Sequence, residues 1–285
     1  MGKIALVVAA VIAIGALLRM TVFANNEEGK REQILRNKSE NISAVTNPSI
    51  TVIFDNYPYK EGLTTAWGFS CLIRGIEKTI LFDTGGDGSI LLANMKKLNI
   101  DPKKIDLVVF SHIHGDHTGG LPSFLEKNQD VIVYMPESFP EGFKRDAKKY
   151  GVTVVEVKEP LKICENVHST GELGTSIIEQ SLIIQTDKGL IVITGCAHPD
   201  IVKIVRKAKD VIKDDVLFVM GGFHLSGKSK TELENIIFDF KQLGVRYAAP
   251  THCSGDNARQ LFEKEYRKNF INIGAGKVIT MEDLK

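Results

Sequence analysis

Four side chains able to bind a metal ion fall within six consecutive residues, and this cluster restricts the fold more than any other feature of the chain. The segment Ser111–His117 reads SHIHGDH and directly follows the apolar run 105–110. Two histidines one residue apart at a strand end can both turn toward one cation, and Asp116 and His117 can serve a second cation as the chain enters a helix. The sequence therefore predicts a strand–loop–helix unit that holds one or two metal ions through His112, His114, Asp116 and His117.

Three further histidines lie just past the ends of apolar, strand-like runs. These are His198, His224 and His252. Residues at the carboxyl ends of strands in an α/β sheet gather at one edge, so we expect these side chains to join the first cluster. We predict that His198 and His252 are metal ligands and that His224 is a catalytic residue. For His168, a surface or hydrogen-bonded role is favoured.

Asp83 ends the strand-like run 79–82 and is followed by Thr84 and two glycines. One interpretation is that its carboxylate accepts a ring N–H of a ligand histidine and so orients that ring. The alternative is a helix cap or turn former, because aspartate before glycine is common in turns. The four cysteines show no CxxC spacing, which argues against a zinc knuckle or a dense disulfide framework.

The hydrophobic pattern becomes regular from Ile50. An early run of strands followed by strand–helix alternation indicates sheets covered by helices on their outer faces. Strands are predicted at 50–54, 69–74, 78–83, 105–110, 131–134, 152–157, 177–186, 189–194, 215–220, 246–250 and 277–280, and helices near 88–98, 118–127, 140–149, 199–212, 229–243 and 255–268.

The N-terminal segment differs in character from the rest. Residues 4–18 form an uninterrupted apolar run behind Lys3, with residues up to Phe23 able to extend it, and such a run is typical of a signal-peptide core or a marginal anchor. We therefore predict a signal peptide or transmembrane anchor at 1–24, a linker at 25–48 and a catalytic domain at 49–285. An exported or membrane-anchored location follows, with a cytoplasmic location as the alternative.

The charge balance bears on the partners. The formal net charge is +1 over 285 residues, so no bulk field favours nucleic acid. We expect a small-molecule substrate, no nucleic-acid partner, and membrane association only through the N-terminal segment 4–23.

Several motifs together resemble a known family. LFDTG (81–85) and SHIHGDHTGGL (111–121) are similar to the first two motifs of the metallo-β-lactamase superfamily, whose fold is an αββα sandwich with the site at one edge. GCAHP, GGFHL and PTHCSG resemble the branch that contains the 7,8-dihydropterin-6-methyl-4-(β-D-ribofuranosyl)aminobenzene-5′-phosphate synthases. The resemblance covers the chain from about Ile50 to Lys285, and it implies an α/β sandwich of this kind behind the N-terminal hydrophobic segment.

The chain departs from the family pattern at three places. Many dinuclear members have a bridging aspartate after the strand where this chain has Thr194, Gly195 and Cys196, and Cys196 could bind as a thiolate or merely pack. Many members also take a third histidine from a segment resembling 167–172, where this chain offers His168; here His198 is the expected donor. Trp67 stands where this branch often has a polar residue.

The predicted activity is metal-dependent hydrolysis, in which a metal-bound hydroxide attacks an ester, lactone, amide or phosphoester. Asp116 would hold the nucleophile and relay its proton, and His224 would polarise a substrate oxygen. Zn²⁺ is the expected ion, one or two per chain, with Mn²⁺ and Fe²⁺ as alternatives. The resemblance also implies a pterin-type transferase that displaces pyrophosphate, and a third alternative is a non-catalytic, metal-dependent binding module.

Overall fold

Thirteen strands and seven α-helices lie in the part of the chain that the structure, a computed structural model, describes: residues 47–285. The strands are β1 (Ser49–Phe54), β2 (Ser70–Arg74), β3 (Ile80–Phe82), β4 (Leu107–Val109), β5 (Ile132–Pro136), β6 (Thr153–Val157), β7 (Leu161–Cys164), β8 (Val167–Ser169), β9 (Leu182–Thr186), β10 (Gly189–Thr194), β11 (Val216–Gly222), β12 (Tyr247–Thr251) and β13 (Val278–Ile279). The helices are α1 (Gly88–Lys97), α2 (Gly115–Thr118), α3 (Leu121–Leu125), α4 (Glu141–Lys148), α5 (Ile201–Ile212), α6 (Lys230–Gln242) and α7 (Asp256–Tyr266).

The strands form two mixed sheets. The first has the order β13–β1–β2–β3–β4–β5–β6, antiparallel from β13 to β3 and parallel from β3 to β6. The second has the order β12–β11–β10–β9–β8–β7, with β12, β11 and β10 parallel and the remaining pairs antiparallel. Helices connect the parallel strands, because a parallel pair needs a long crossover connection.

Successive residues of a strand enter different hydrophobic clusters, which separates the layers of the fold. On β2, Cys71 and Ile73 enter a buried cluster that includes side chains of both sheets, whereas Leu72 faces the helices on the other side. On β10, Ile191 joins the cluster between the sheets and Val192 packs among α5, α6 and α7. Successive strand residues point to opposite faces, so each sheet buries both of its faces. The result is the predicted four-layer αββα arrangement, which is confirmed for the described residues.

The sheets place five strand ends at one edge. Asp83 follows β3, the segment Ser111–His117 follows β4, and His198, His224 and His252 follow β10, β11 and β12. Ligands in open α/β sheets bind beyond the carboxyl ends of strands, and these five positions mark that edge here.

The prediction of a transmembrane anchor is withdrawn. Among the helices of residues 47–285, none combines the length and the apolar character needed to cross a bilayer. The N-terminal segment 4–23, on which that prediction and the exported or membrane-anchored location rested, lies outside the described residues, as do the predicted boundaries near residues 24 and 48.

Candidate metal centre

The segment after β4 brings its histidines together as the chain turns into α2. The Nε2 atom of His112 and the Nδ1 atom of His114 are 3.1 Å apart, and helix α2 begins at the next residue, Gly115. His112 is fully buried, whereas His114 is half-buried. Two ring nitrogens at this separation present their lone pairs to a common point beside the loop.

His198 completes a group of three histidines. Its ring centroid lies 4.8 Å from those of both His112 and His114, and one donor atom from each residue falls within 4.8 Å of the others. The Nε2 atom of His198 is buried and has no hydrogen-bond partner among the residues of the described region. A buried, unpaired imidazole nitrogen is costly unless it binds something, and three such nitrogens are a common ligand set for zinc.

A second group of possible ligands lies beside the first. It consists of Asp116, His117, Cys196 and His252, whose donor atoms also fall within 4.8 Å of one another. Asp116 Oδ2 is 3.2 Å from Nε2 of His252 and 3.6 Å from Nε2 of His117, and the Sγ atom of Cys196 is 3.2 Å from Nε2 of His117. His252 Nε2 is buried and makes no hydrogen bond of good geometry to Asp116, as expected of two donors that share a cation.

Asp83 fixes the orientation of two ligand rings. Its Oδ2 atom lies 2.7 Å from Nδ1 of His117 and accepts a hydrogen bond of 2.7 Å from the hydroxyl of Ser111. Because that hydroxyl proton points to Asp83, the Ser111 oxygen accepts a hydrogen bond from the N–H at Nδ1 of His112, 2.8 Å away. Both rings therefore carry their proton on Nδ1 and keep Nε2 free for a metal ion.

Asn56 plays the corresponding part for His252. Its side-chain amide donates to the backbone oxygen of His252 at 3.4 Å, so its Oδ1 atom accepts from Nδ1 of the ring, 3.0 Å away. The Nε2 lone pair of His252 is thereby directed at Asp116. Neither Asn56 nor Ser111 was predicted from the sequence.

Glu179 organises the segment that carries Cys196 and His198. Its fully buried carboxylate accepts hydrogen bonds of 2.9–3.0 Å from the Thr194 hydroxyl and from the backbone N–H groups of residues 195–198. Oε2 also lies 4.0 Å from Nδ1 of His112. Burial opposes ionisation, yet the nearby Nδ1–H of His112 and these backbone N–H groups keep the pKa of Glu179 below its usual value.

Several site residues lie in the left-handed region of the backbone map. Asp83, Ala197, His224 and His252 have φ values of 54°, 60°, 52° and 51°. Such conformations are uncommon for residues other than glycine and persist where the surrounding structure compels them. All four lie in the turns that lead from the strand ends into the site.

Burial also shifts the pKa values of the ligand histidines. It lowers the pKa of His112 to about 2 and those of His117 and His198 to about 4. For Asp116, burial acts against the charged form, but the adjacent rings of His252 and His117 outweigh it and lower the pKa. His112, His117 and His198 are thus neutral and Asp116 is ionised at neutral pH, which is the protonation state that a cation requires.

His224 lies beside the three-histidine group and is exposed, whereas its neighbour Cys253 is buried. The ring of His224 is exposed and its centroid is 4.4 Å from that of His198. A hydrogen bond with Cys253 raises the pKa of His224, and Cys196, His198 and His224 form a third group of close donor atoms. His224 therefore lies where it could touch a molecule bound at the metal centre.

The structure thus brings together every residue predicted as a ligand or catalytic group. Six predicted ligands, His112, His114, Asp116, His117, His198 and His252, fall into two adjacent groups, and Asp83, Cys196 and His224 contact them. His168 lies on β8 opposite Lys162 and Ile183, and it belongs to none of the ligand groups found among residues 47–285. The residues present fit one or two divalent ions, because buried imidazole nitrogens are left unpaired and face one another.

The chain belongs to the metallo-β-lactamase superfamily, whose family model matches residues 68–219. Within this superfamily it is similar to the 7,8-dihydropterin-6-methyl-4-(β-D-ribofuranosyl)aminobenzene-5′-phosphate synthase of Methanocaldococcus jannaschii, with 31% identity over 289 residues, 84% of this chain and 98% of the relative. The branch predicted from the motifs is therefore confirmed.

Solved structures agree with the fold. Tm1679, a metal-dependent hydrolase of the β-lactamase superfamily, superimposes with a TM-score of 0.69 at 29% identity, covering 81% of this chain and 98% of that protein. The metallo-β-lactamase-fold protein YhfI of Bacillus subtilis gives a TM-score of 0.60 at 17% identity, covering 82% and 99% of the two chains, and it bears on the fold alone.

Proposed function

We propose that this protein is a metal-dependent hydrolase of small molecules that carry an ester, lactone, amide or phosphoester bond. The observation that carries the proposal is the pair of adjacent ligand groups, in which hydrogen bonds on the far side of the ring orient the buried imidazoles of His112, His117 and His252. These residues would hold a divalent ion, which would supply Lewis-acid chemistry and lower the pKa of water toward 7, so that a nucleophile is available at neutral pH. Zn²⁺ is favoured because the donors are imidazole, carboxylate and thiol.

Two residues of the chain would transfer the proton and contact the substrate. Asp116 stays ionised between His117 and His252, so it can accept the proton that water loses as its oxygen bonds to the substrate carbon or phosphorus. His224 has a raised pKa and an exposed ring, so it can donate a hydrogen bond to a substrate oxygen. The similarity to Tm1679 over nearly its whole length supports a hydrolase.

A panel of ester, lactone, amide and phosphoester substrates tests the proposal with the zinc-loaded protein. Asp116→Asn keeps the shape of the side chain and removes its basicity, so turnover should fall about a hundredfold or more. His168→Ala is the matched control, because His168 lies outside the ligand groups, and it should retain full turnover. Equal turnover in Asp116→Asn and the parent protein would refute the assignment.

The second candidate is a transferase that displaces pyrophosphate from a dihydropterin substrate. It is favoured by the synthase of M. jannaschii, which this chain matches over 98% of the relative's length. An imidazole with a raised pKa, such as that of His224, suits an anionic leaving group as well as it suits a carbonyl oxygen.

Dihydropterin pyrophosphate, with and without an arylamine acceptor, separates the two candidates. Release of pyrophosphate that requires the arylamine supports the transferase. Release that is the same without the arylamine supports the hydrolase.

A further inference from the structure

The single tryptophan of the chain stands at the rim of the candidate metal centre with most of its ring uncovered. Trp67 is 58% exposed, and its ring centroid lies 4.6 Å from that of the ligand His252 at an interplanar angle of 51°. The indole thus makes a tilted contact with a residue of the site, while more than half of the tryptophan remains exposed. A large ring left exposed at this place forgoes the free energy that burial would bring.

The backbone beside Trp67 is fastened to the loop that carries Asp116. Phe69 N–H donates to the backbone oxygen of Asp116 at 3.3 Å. Gly68 has a φ of 139°, and a Cβ atom there would lie 2.3 Å from the same oxygen, so only glycine permits this approach. The position of Trp67 relative to the site is therefore set by direct backbone contact.

The loop that carries Trp67, residues 55–69, is held by the buried side-chain amide of Asn94. The side chain of Asn94, on α1, accepts a hydrogen bond from Thr64 N–H at 3.0 Å and donates to the oxygens of Thr64 and Ile53 at 2.8 and 2.9 Å. The Nζ atom of Lys97 donates to the oxygen of Gly62 at 2.6 Å. A loop with little regular structure is thus fixed at several points, and the exposed ring is presented in one orientation.

We propose that Trp67 is the stacking surface for a flat aromatic or heteroaromatic ring of the substrate, next to the bond that reacts. This inference rests on the proposed function and adds a substrate class to it. A flat ring can lie on the free face of the indole, whereas a puckered saturated ring of similar size cannot make the same contact.

Benzylphosphonate and cyclohexylmethylphosphonate are the probes, since both carry the same metal-binding head and differ in the flatness of the ring. Because the chain has one tryptophan, its fluorescence reports events at Trp67 directly. With the zinc-loaded protein, benzylphosphonate should quench this fluorescence and bind about threefold to tenfold more tightly than its saturated counterpart.

The variants are compared by calorimetry. Trp67→Ala should bind the two phosphonates equally, and Trp67→Phe should keep part of the preference. Tyr59→Ala is the control, since Tyr59 is also an exposed aromatic residue, and it should behave as the parent protein.

Metal content is measured on each sample first, so that a failure of the proposed hydrolase function can be distinguished from a failure of the stacking role of Trp67. A protein that takes up no zinc overturns the proposed function. A zinc-loaded protein that binds both phosphonates equally, or binds neither, overturns the stacking role. Fluorescence that changes on dilution but not with phosphonate would assign the ring to contact between copies of the chain and would also overturn it.

Discussion

Glu179 shows how a single residue can shape a metal centre without binding the metal. Glu179→Gln replaces one acceptor oxygen by an NH₂ group, which would face a backbone N–H of the segment 195–198. Because buried donors would lose their partners, we expect the free energy of unfolding to fall by about 3 kcal/mol. We also expect weaker zinc binding, since His198 is held through this segment.

Denaturant unfolding and zinc titration check this prediction. The exposed Glu126→Gln is the matched control and should change neither quantity. A Glu179→Gln protein with the parent's stability and zinc affinity would contradict the organising role of the carboxylate.

The pKa shifts of individual histidines also predict how the number of bound metal ions depends on pH. Burial holds the pKa of His112 near 2 and that of His198 near 4, so protons compete weakly for the three-histidine group. Burial lowers the pKa of His252, but the adjacent carboxylate of Asp116 outweighs it and raises the pKa, so protons compete for the second group at higher pH. As pH falls, the second group should therefore lose its ion first.

Elemental analysis after dialysis at steps from pH 8 to pH 4 checks this order. The parent protein should pass from two ions per chain to one before it reaches none. His252→Ala, which impairs the second group, should show only the later loss. Simultaneous loss of both ions in the parent protein would show that the two groups do not titrate in this order.

At the scale of elements, α1 positions the site through one side chain. Asn94→Ala would remove the hydrogen bonds to Thr64 and Ile53 and release the loop that carries Trp67. We expect a loss of about 2 kcal/mol in the free energy of unfolding, because buried backbone groups lose their partners. The fluorescence of Trp67 should also shift toward that of a more solvated indole.

Asn128→Ala is the matched comparison for this prediction. Asn128 is a buried amide that binds the oxygens of Pro102 and Ile105, in a different loop. Its loss should cost similar stability and leave the emission of Trp67 unchanged. If both variants shift the emission equally, the effect is global and Asn94 has no special part in placing the loop.

The same scale shows what sequence patterns could predict. Apolar runs of sufficient length predicted the central strands, such as 50–54 and 189–194, because alternation and burial act over the whole run. The strands β7 and β8 are only four and three residues long, too short for an alternating pattern to distinguish them from a loop.

Some site residues could also be predicted from the sequence, and others could not. The strand-end histidines could be predicted because imidazole is a common metal ligand, so its position after a strand already indicates a metal site. Glu179 was hidden inside the predicted strand 177–186, which the structure begins only at Leu182. Asn56 and Ser111 were hidden because an amide or a hydroxyl is common in any turn. Their roles follow from tertiary contacts with His252 and His112, which no local spacing encodes.

At the scale of the whole molecule, the two sheets share each ligand group. His112, His114, Asp116 and His117 follow β4 in the first sheet, whereas Cys196, His198 and His252 follow strands of the second. An ion held by either group would therefore link the two sheets, and it would favour the folded state because the unfolded chain has no preformed site.

Zinc should accordingly stabilise the protein. At a free concentration a hundredfold above its dissociation constant, one ion adds about 2.7 kcal/mol to the free energy of unfolding. Thermal unfolding with zinc and after treatment with a chelator measures this gain. An unchanged melting temperature would contradict a cation that bridges the sheets.

The most direct measurement is the number of zinc ions bound per chain in the parent protein and in variants of each ligand group. The parent should bind two, His198→Ala and His252→Ala should each lose one and keep the other, and His168→Ala should still bind two. Uptake of no zinc by the parent, or equal loss in His168→Ala, would contradict the account that these strand-end side chains form a metal centre.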